Sequence, residues 1–541
     1  MSSRTTVIAG LIAGAQRAWG IALLAGLTLA ALPPTAASAA GVVPTDKGPV
    51  RGTETAAVKE YLGIPYAAPP VGELRWRPPQ PHARWRGPLD ATHFGNHCPQ
   101  TASFAGASST SEDCLYLNVY VPNEGPGRGP AKHLPVMVWI HGGGFTSGES
   151  DDYDPTRLVQ QGVVVVTLNY RLGALGFLAH PALSAESASH SSSNYGLMDQ
   201  QAALRWVQRN IAHFGGNRRN VTIFGESAGG LSVYAQLASP LAAGLFQHAI
   251  AQSGSYAMTL QPLSQAEASG LNLAKRLGCS DENTAAACLR AAPVSEILAD
   301  QTPDNGFSIV PPVDGHVLPQ SLDAAFQSGE FNRVPVVEGT THDEFTLFYK
   351  LAVEDVFGVI PPFAYSFIVN VFVGALHTNA TAAEVLFQYN LNAYGESVGR
   401  AVSAIATDDV FSCPARRATQ AMSRFVPTFQ YELKDPNVPQ VFLPPASFPY
   451  GAYHSSDLLF LFDSPTRGRA PLSADEERLA EAMAGYWTQF ARTGDPNSAS
   501  TPKWSPYEVG TEALQSLAPP TPVSETAFAG DHKCGFWEAH G

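Results

Sequence analysis

The stretch Val221-Thr-Ile-Phe-Gly-Glu-Ser-Ala-Gly-Gly230 constrains this chain more than any other. Val221 to Phe224 is apolar and β-rich, which predicts a buried strand. Gly225-Glu226-Ser227-Ala228-Gly229 follows as G-x-S-x-G, and Leu231 to Leu237 has helical character. Strand, G-x-S-x-G and helix together make the context of a nucleophile elbow, a turn so tight that small residues must flank the serine. The turn holds Ser227 above a sheet at a helix N-terminus. Free N–H groups and the positive end of the dipole there favour a developing oxyanion.

The surroundings predict the sheet. Cys114 to Val121, Leu134 to Ile140, Val163 to Asn169, Phe246 to Gln252, Val334 to Glu338 and Thr428 to Leu433 have strand patterns. Asp154 to Gln161, Asn194 to Phe214, Ser264 to Leu277 and Glu476 to Arg492 have helical ones, and Gly215-Gly216-Asn217 stops the second. Fully apolar strands alternating with helices predict an α/β chain with a central, mostly parallel sheet covered by helices. Val42 to Tyr61 predicts short hairpin strands. Phe345 to about Asp409 is helical and unusually apolar, with Phe357, Phe363, Phe367, Phe372 and Leu376. It is expected over the sheet edge, either as ordinary core or as the lid or wall of a pocket.

Charged residues make up 15% of the chain, the net charge is −14, and no basic run stands out, which argues against nucleic acid as a partner. The first 40 residues have the features of a secretory signal. Arg4 and Arg17 are their only charges, and the apolar run Gly20 to Leu32 has 13 residues, short of the ~20 a spanning helix needs. Ala37-Ser38-Ala39 offers a cleavage site, so cleavage is expected near Ala39 or Ala40, with export to the periplasm or medium. The alternative is an uncleaved anchor. No later apolar stretch reaches spanning length unbroken, and residues 41–541 are expected to form one domain. Six cysteines follow the signal, an even number that favours disulfides. The simplest pairing is sequential: Cys98–Cys114, Cys279–Cys288 and Cys413–Cys534. There is no C-x-x-C, and neither a metal nor a cofactor is expected.

A serine nucleophile needs a histidine to take its proton, an acid to orient that histidine, and donors for the oxyanion. Gly142-Gly143-Gly144 after the strand Leu134 to Ile140 can supply N–H groups from Gly143 and Gly144, alongside that of Ala228. Asp343 and Glu344 both follow the later strand, and residue chemistry alone does not choose between them. His377, His454, His532 and His540 are the histidines beyond them. His454 lies in the small-residue loop Tyr450-Gly-Ala-Tyr-His-Ser-Ser-Asp457.

Phe214-Gly-Gly-Asn-Arg-Arg-Asn-Val-Thr-Ile-Phe-Gly-Glu-Ser-Ala-Gly229 and Glu112-Asp-Cys-Leu-Tyr-Leu-Asn-Val-Tyr-Val-Pro122 resemble, in order, the two signatures of the type B carboxylesterase and cholinesterase family of α/β-hydrolases. The resemblance runs from about residue 41 to the end. It implies the α/β-hydrolase fold, with helical insertions around the active site. It also implies Ser227 as nucleophile, Glu344 as acid, His454 as base, and Gly143, Gly144 and Ala228 as oxyanion hole. Glu226 and Ser253 resemble supporting residues, and the family's disulfides match the sequential pairing. The short loop between Cys98 and Cys114 has no tryptophan; Phe104 is its only aromatic. Cholinesterases use a tryptophan there for cation–π attraction, so a choline ester is not the expected substrate. The expectation is a secreted, cofactor-free serine carboxylesterase working through an acyl-enzyme. The alternatives are a lipase acting on longer chains at an interface and a catalytically silent binding relative.

Overall fold

The computed structural model describes residues 38–103, 105–123, 133–301, 309–376, 378–441, 443–464 and 470–541. The expected signal up to residue 37, Phe104 and His377 lie outside the described residues. Thirteen strands form one sheet among those described. They are β1 (Ser38–Val43), β2 (Val50–Glu54), β3 (Val58–Pro65), β4 (Leu89–Asp90), β5 (Tyr116–Pro122), β6 (Leu134–Ile140) and β7 (Val164–Leu168). There follow β8 (Gly216–Glu226), β9 (His248–Gln252), β10 (Val336–Thr341), β11 (Thr428–Leu433), β12 (Leu514–Leu517) and β13 (Val523–Glu525). The order is β1-β2-β3-β5-β7-β6-β8-β9-β10-β11-β12-β13, with β4 beside β2. From β7 through β12 every pairing is parallel. The edge from β1 to β5, and the β5–β7 and β12–β13 pairs, are antiparallel.

The principal helices are α1 (Tyr195–Asn210), α2 (Ala228–Ala238), α3 (Phe345–Phe357), α4 (Pro362–Val373), α5 (Ala382–Gln388) and α6 (Ala474–Thr493). Successive side chains of a strand point to opposite faces, and β6 feeds two cores accordingly. Val136, Val138 and Ile140 join Leu197, Leu204 and Val207 of α1. Met137 and Trp139 join the core that contains Leu479, Met483 and Trp487 of α6. With both faces covered, β7, β10 and β11 are buried along their whole length.

The strand order reverses at β6, which lies between β7 and β8. In open α/β sheets such a reversal leaves a crevice at the carboxyl ends of the strands. Four neighbouring strands deliver the candidate residues to that edge. His141-Gly-Gly-Gly follows β6, Ser227 follows β8, Ser253 follows β9, and Glu344 lies three residues beyond β10.

Several sequence expectations need adjustment. The strand before the elbow starts at Gly216, not Val221, and α2 starts at Ala228, directly after the serine. β12, β13 and the terminal helix Cys534–His540 were not expected. β1 begins at Ser38, inside the stretch where signal cleavage is expected. Residues 357–376 supply no wall to the cavity that holds Ser227. Phe357, Phe363 and Phe367 are exposed, and Phe372 and Leu376 pack into the core. Among the described residues no single helix is long and apolar enough to cross a membrane.

The three sequential disulfides are present: Cys98–Cys114, Cys279–Cys288 and Cys413–Cys534. The last spans 121 positions against 9 for the second. Loop-closure entropy scales with loop length, giving about 5 kcal/mol for the longer and about 2.6 kcal/mol for the shorter. Cys413→Ala/Cys534→Ala should therefore lower the urea midpoint more than Cys279→Ala/Cys288→Ala. Equal losses would show that the long bridge adds nothing through chain entropy.

Candidate active site

Ser227 holds φ 57° and ψ −121°, a strained conformation at the junction of β8 and α2. Its amide donates to the Gln252 carbonyl at 2.9 Å, and its own carbonyl accepts from Leu231 at 2.8 Å. The flanking glycines are needed for space. A Cβ on Gly229 would come within 1.9 Å of the Ile140 carbonyl oxygen, and one on Gly225 within 2.6 Å of Gly229. Backbone strain of this kind, of order 1–3 kcal/mol, persists only where the surroundings enforce it.

Two loops meet above the strand ends. Asp343 accepts a hydrogen bond from the Ala452 amide at 3.0 Å, while its own amide donates to the Ala452 carbonyl at 2.9 Å. Gly451 sits at φ +63°, and a Cβ there would strike Asp343 Oδ2 at 2.1 Å. This clasp joins the loop of Glu344 to the loop of His454. Asp343, the rival acid in the sequence, holds the loops together, and Glu344 is the acid bonded to His454.

His454 Nδ1 lies 2.5 Å from Glu344 Oε2. A carboxylate only accepts, so Nδ1 carries the proton and Nε2 is left with its lone pair. Glu344 has no exposed surface, and its Oε1 accepts from Ser253 Oγ at 2.6 Å and from the Thr341 amide at 2.9 Å. Phe348 and Phe411 pack on the imidazole, with ring centroids 4.8 and 5.2 Å away. His454 Nε2 is buried and makes no hydrogen bond. Glu226 Oε1 is 3.1 Å from it, and Ser455 Oγ donates to the same oxygen at 2.7 Å. Ser227 and His454 line one cavity, but the serine–imidazole hydrogen bond is not made in this conformation. Such bonds are often loose before substrate arrives.

Gly143 and Gly144 have positive φ and line the same cavity, with Gly142, Glu226 and Ser455. Ala228 is the first residue of α2, so its N–H is one of the unpaired amides at that end. The cavity is about 150 Å³, and its apolar lining includes Tyr153, Leu347, Phe348, Leu458 and Phe462. Of the other candidate histidines, His540 packs at the C-terminus against the Phe536 carbonyl. His532 lies between Asp408 and Glu432, each 2.5 Å away.

Asp457 belongs to the site and was not singled out from the sequence. It has no exposed surface and accepts from Gln252 Nε2 at 2.7 Å and Tyr431 Oη at 2.8 Å. Its only signal was a carboxylate three residues after His454 in a loop of small residues.

Two His–carboxylate clusters lie outside the cavity: His342, Glu432 and His532, and His97, Glu149 and Asp151. In each the central ring spends both nitrogens on carboxylates. For His97 these are Glu149 at 3.0 Å and Asp151 at 2.8 Å; for His532 they are Asp408 and Glu432. Those carboxylates hold both imidazoles protonated, with pKa values of about 10. Each of these imidazoles is thus the centre of an ion triad, Glu149–His97–Asp151 and Asp408–His532–Glu432.

Burial pushes the Glu226 carboxyl up to about 8. Burial pulls His454 down, but the charges of Glu226 and Glu344 more than reverse this and raise it from 6.5. A protonated imidazole cannot accept a further proton.

The Carboxylesterase family profile matches residues 39–537. Fumonisin B1 esterase of Sphingopyxis macrogoltabida is 37% identical over 484 residues, covering 86% of this chain and 84% of that protein. Para-nitrobenzyl esterase of Bacillus subtilis is 36% identical over 489 residues, 86% of this chain and 92% of that protein. Cocaine esterase of Homo sapiens is 33% identical over 532 residues, 93% of this chain and 91% of that protein.

In a pH profile of kcat/KM on a soluble ester, the acid limb should lie above 6.5, the ordinary histidine value. Glu226→Gln should move it to lower pH, because the variant removes the strongest charge holding the proton on His454. A limb that stays in place or moves upward would contradict this electrostatic picture.

Proposed function

Because the chain belongs to the carboxylesterase family, with the α/β-hydrolase fold, and is a carboxylic ester hydrolase, we propose that Ser227, His454 and Glu344 are its catalytic triad. The Ser227 hydroxyl turns about χ1 toward the lone pair on His454 Nε2 and gives up its proton as Oγ attacks the ester carbonyl. The N–H groups of Gly143, Gly144 and Ala228 stabilise the tetrahedral oxyanion. Glu344, hydrogen-bonded to Nδ1, orients and stabilises the imidazolium. His454 then protonates the departing alkoxide, leaving an acyl group on Ser227. Water, deprotonated by the same Nε2, attacks the acyl carbonyl, and the acid leaves as Oγ regains its proton.

The observation that carries this proposal is the pairing of a strained Ser227 with the buried Glu344–His454 hydrogen bond around one cavity. The fixed tautomer leaves a base on the side of the ring where a proton has to be accepted. The three disulfides and the small-residue stretch near Ala39 support export to an oxidising compartment.

The relatives are named for three separate substrates, so the preference is taken from this chain's own cavity. Asp152, Glu226 and Asp463 are among the described residues that line it. The remaining wall is mostly apolar. An ester with a short apolar acyl group fits these walls.

Ser227→Ala should lower kcat on p-nitrophenyl butyrate by at least about a thousandfold. Undiminished turnover in the variant would end the triad assignment.

A further inference from the structure

Seven large apolar side chains stand exposed on one run of helices. Val356, Phe357, Val359, Phe363, Phe367, Val371 and Phe387 are each between 57% and 89% exposed. Among the described residues, exposed phenylalanines occur nowhere else. Single exposed apolar residues are ordinary, but a cluster of this kind marks a binding surface.

The local sequence is as unusual as the exposure. Between Asp355 and Glu384 there is no aspartate, glutamate, lysine or arginine. α4 is apolar on both sides: Tyr365, Val369 and Phe372 face the core, while Phe367 and Val371 face outward. A helix apolar all round has apolar surroundings on every side. α3 and α4 meet at 105°, and the turn between them holds Gly358 at φ +75° and Pro361-Pro362. Phe357, Val359 and Phe363 therefore sit on a preformed corner and lose little freedom on being covered.

We propose that this corner is a docking surface for the acyl region of a neutral or zwitterionic lipid layer. A protein partner would be expected to meet a polar rim and paired hydrogen bonds. Here Ser366 and Asn370 are the polar side chains on the outward side of α4, and no charge in the stretch sets a register. A lipid layer needs none. With no cation in the stretch and a net charge of −14 on the chain, anionic headgroups repel the protein, so the attraction comes from apolar area. The corner and the cavity share one helix. α3 carries Phe348 in the cavity wall and Phe357 at the corner, nine residues and roughly 14 Å along one helix. The inference does not depend on the chemistry assigned to Ser227.

Flotation with phosphatidylcholine vesicles tests it, using proteins with the same N-terminus in a Ser227→Ala background so that no ester is cleaved. The parent should float equally at 0.1 and 1 M salt (roughly 10 and 3 Å Debye length), and Phe357→Ser/Phe363→Ser/Phe367→Ser should float at least tenfold less. With Ser227 restored, the triple variant should keep its Tm and its turnover of soluble p-nitrophenyl butyrate. If the triple variant loses Tm, Phe363→Ser alone decides, and it should at least halve flotation. No flotation of the parent, equal flotation of the variants, or salt-sensitive flotation only on phosphatidylserine vesicles would overturn the proposal. So would a dimer in light scattering that the triple variant dissolves, since a second copy would then be the occupant.

Discussion

A carboxylate with no exposed surface is costly unless every lone pair is answered, and Glu344 is in that position. Its partners come from three separated parts of the chain: the Ser253 hydroxyl after β9, the Thr341 amide at the end of β10, and the His454 ring from a later loop. Removing any one would leave a buried charge underpaired. The geometry of the imidazole is thus coupled to the order of the parallel strands. Strands β6, β8, β9 and β10 must be neighbours for the glycine loop, the elbow, Ser253 and Glu344 to share an edge.

The same crowding of acids shapes the electrostatics. Glu226, Glu344 and Asp457 all lie fully or almost fully buried around one histidine. One imidazolium cannot neutralise three carboxylates. Burial raises the carboxyl pKa of Glu226 and of Asp457 accordingly. Glu344 has three donors, the Ser253 hydroxyl, the Thr341 amide and His454 Nδ1. Its hydrogen bond also fixes which ring nitrogen is free, which is what general-base chemistry at Ser227 requires.

Much of this was legible in the sequence, for physical reasons. The elbow was readable because the glycines at 225 and 229 are dictated by contacts too close for any Cβ. The buried parallel strands announce themselves as continuous apolar runs. β12 does not, because Leu514-Gln-Ser-Leu517 has only four residues, and burial comes from its neighbours instead of its own composition. β8 was cut short because Asn217-Arg-Arg-Asn220 is polar, although its backbone already pairs at Gly216 with Leu134. The choice between Asp343 and Glu344 depended on family resemblance, since adjacent carboxylates differ only in where the turn aims them. Asp457 was overlooked because a buried acid in a small-residue loop has no pattern of its own. The outward phenylalanines of α3, α4 and α5 read equally as core or as a pocket wall, since an apolar sequence does not say which side faces the protein.

The most direct measurement is a crystal structure of the protein inactivated by a p-nitrophenyl phosphonate, whose tetrahedral phosphorus stands in for the transition state. The account predicts phosphorus bonded to Ser227 Oγ and the phosphoryl oxygen about 2.7–3.1 Å from the N–H groups of Gly143, Gly144 and Ala228. It also predicts His454 Nε2 turned to the oxygens at phosphorus while Nδ1 stays on Glu344. An adduct on another residue, or a His454 ring that keeps its Nε2 on Glu226 and makes no contact with the adduct, would contradict it.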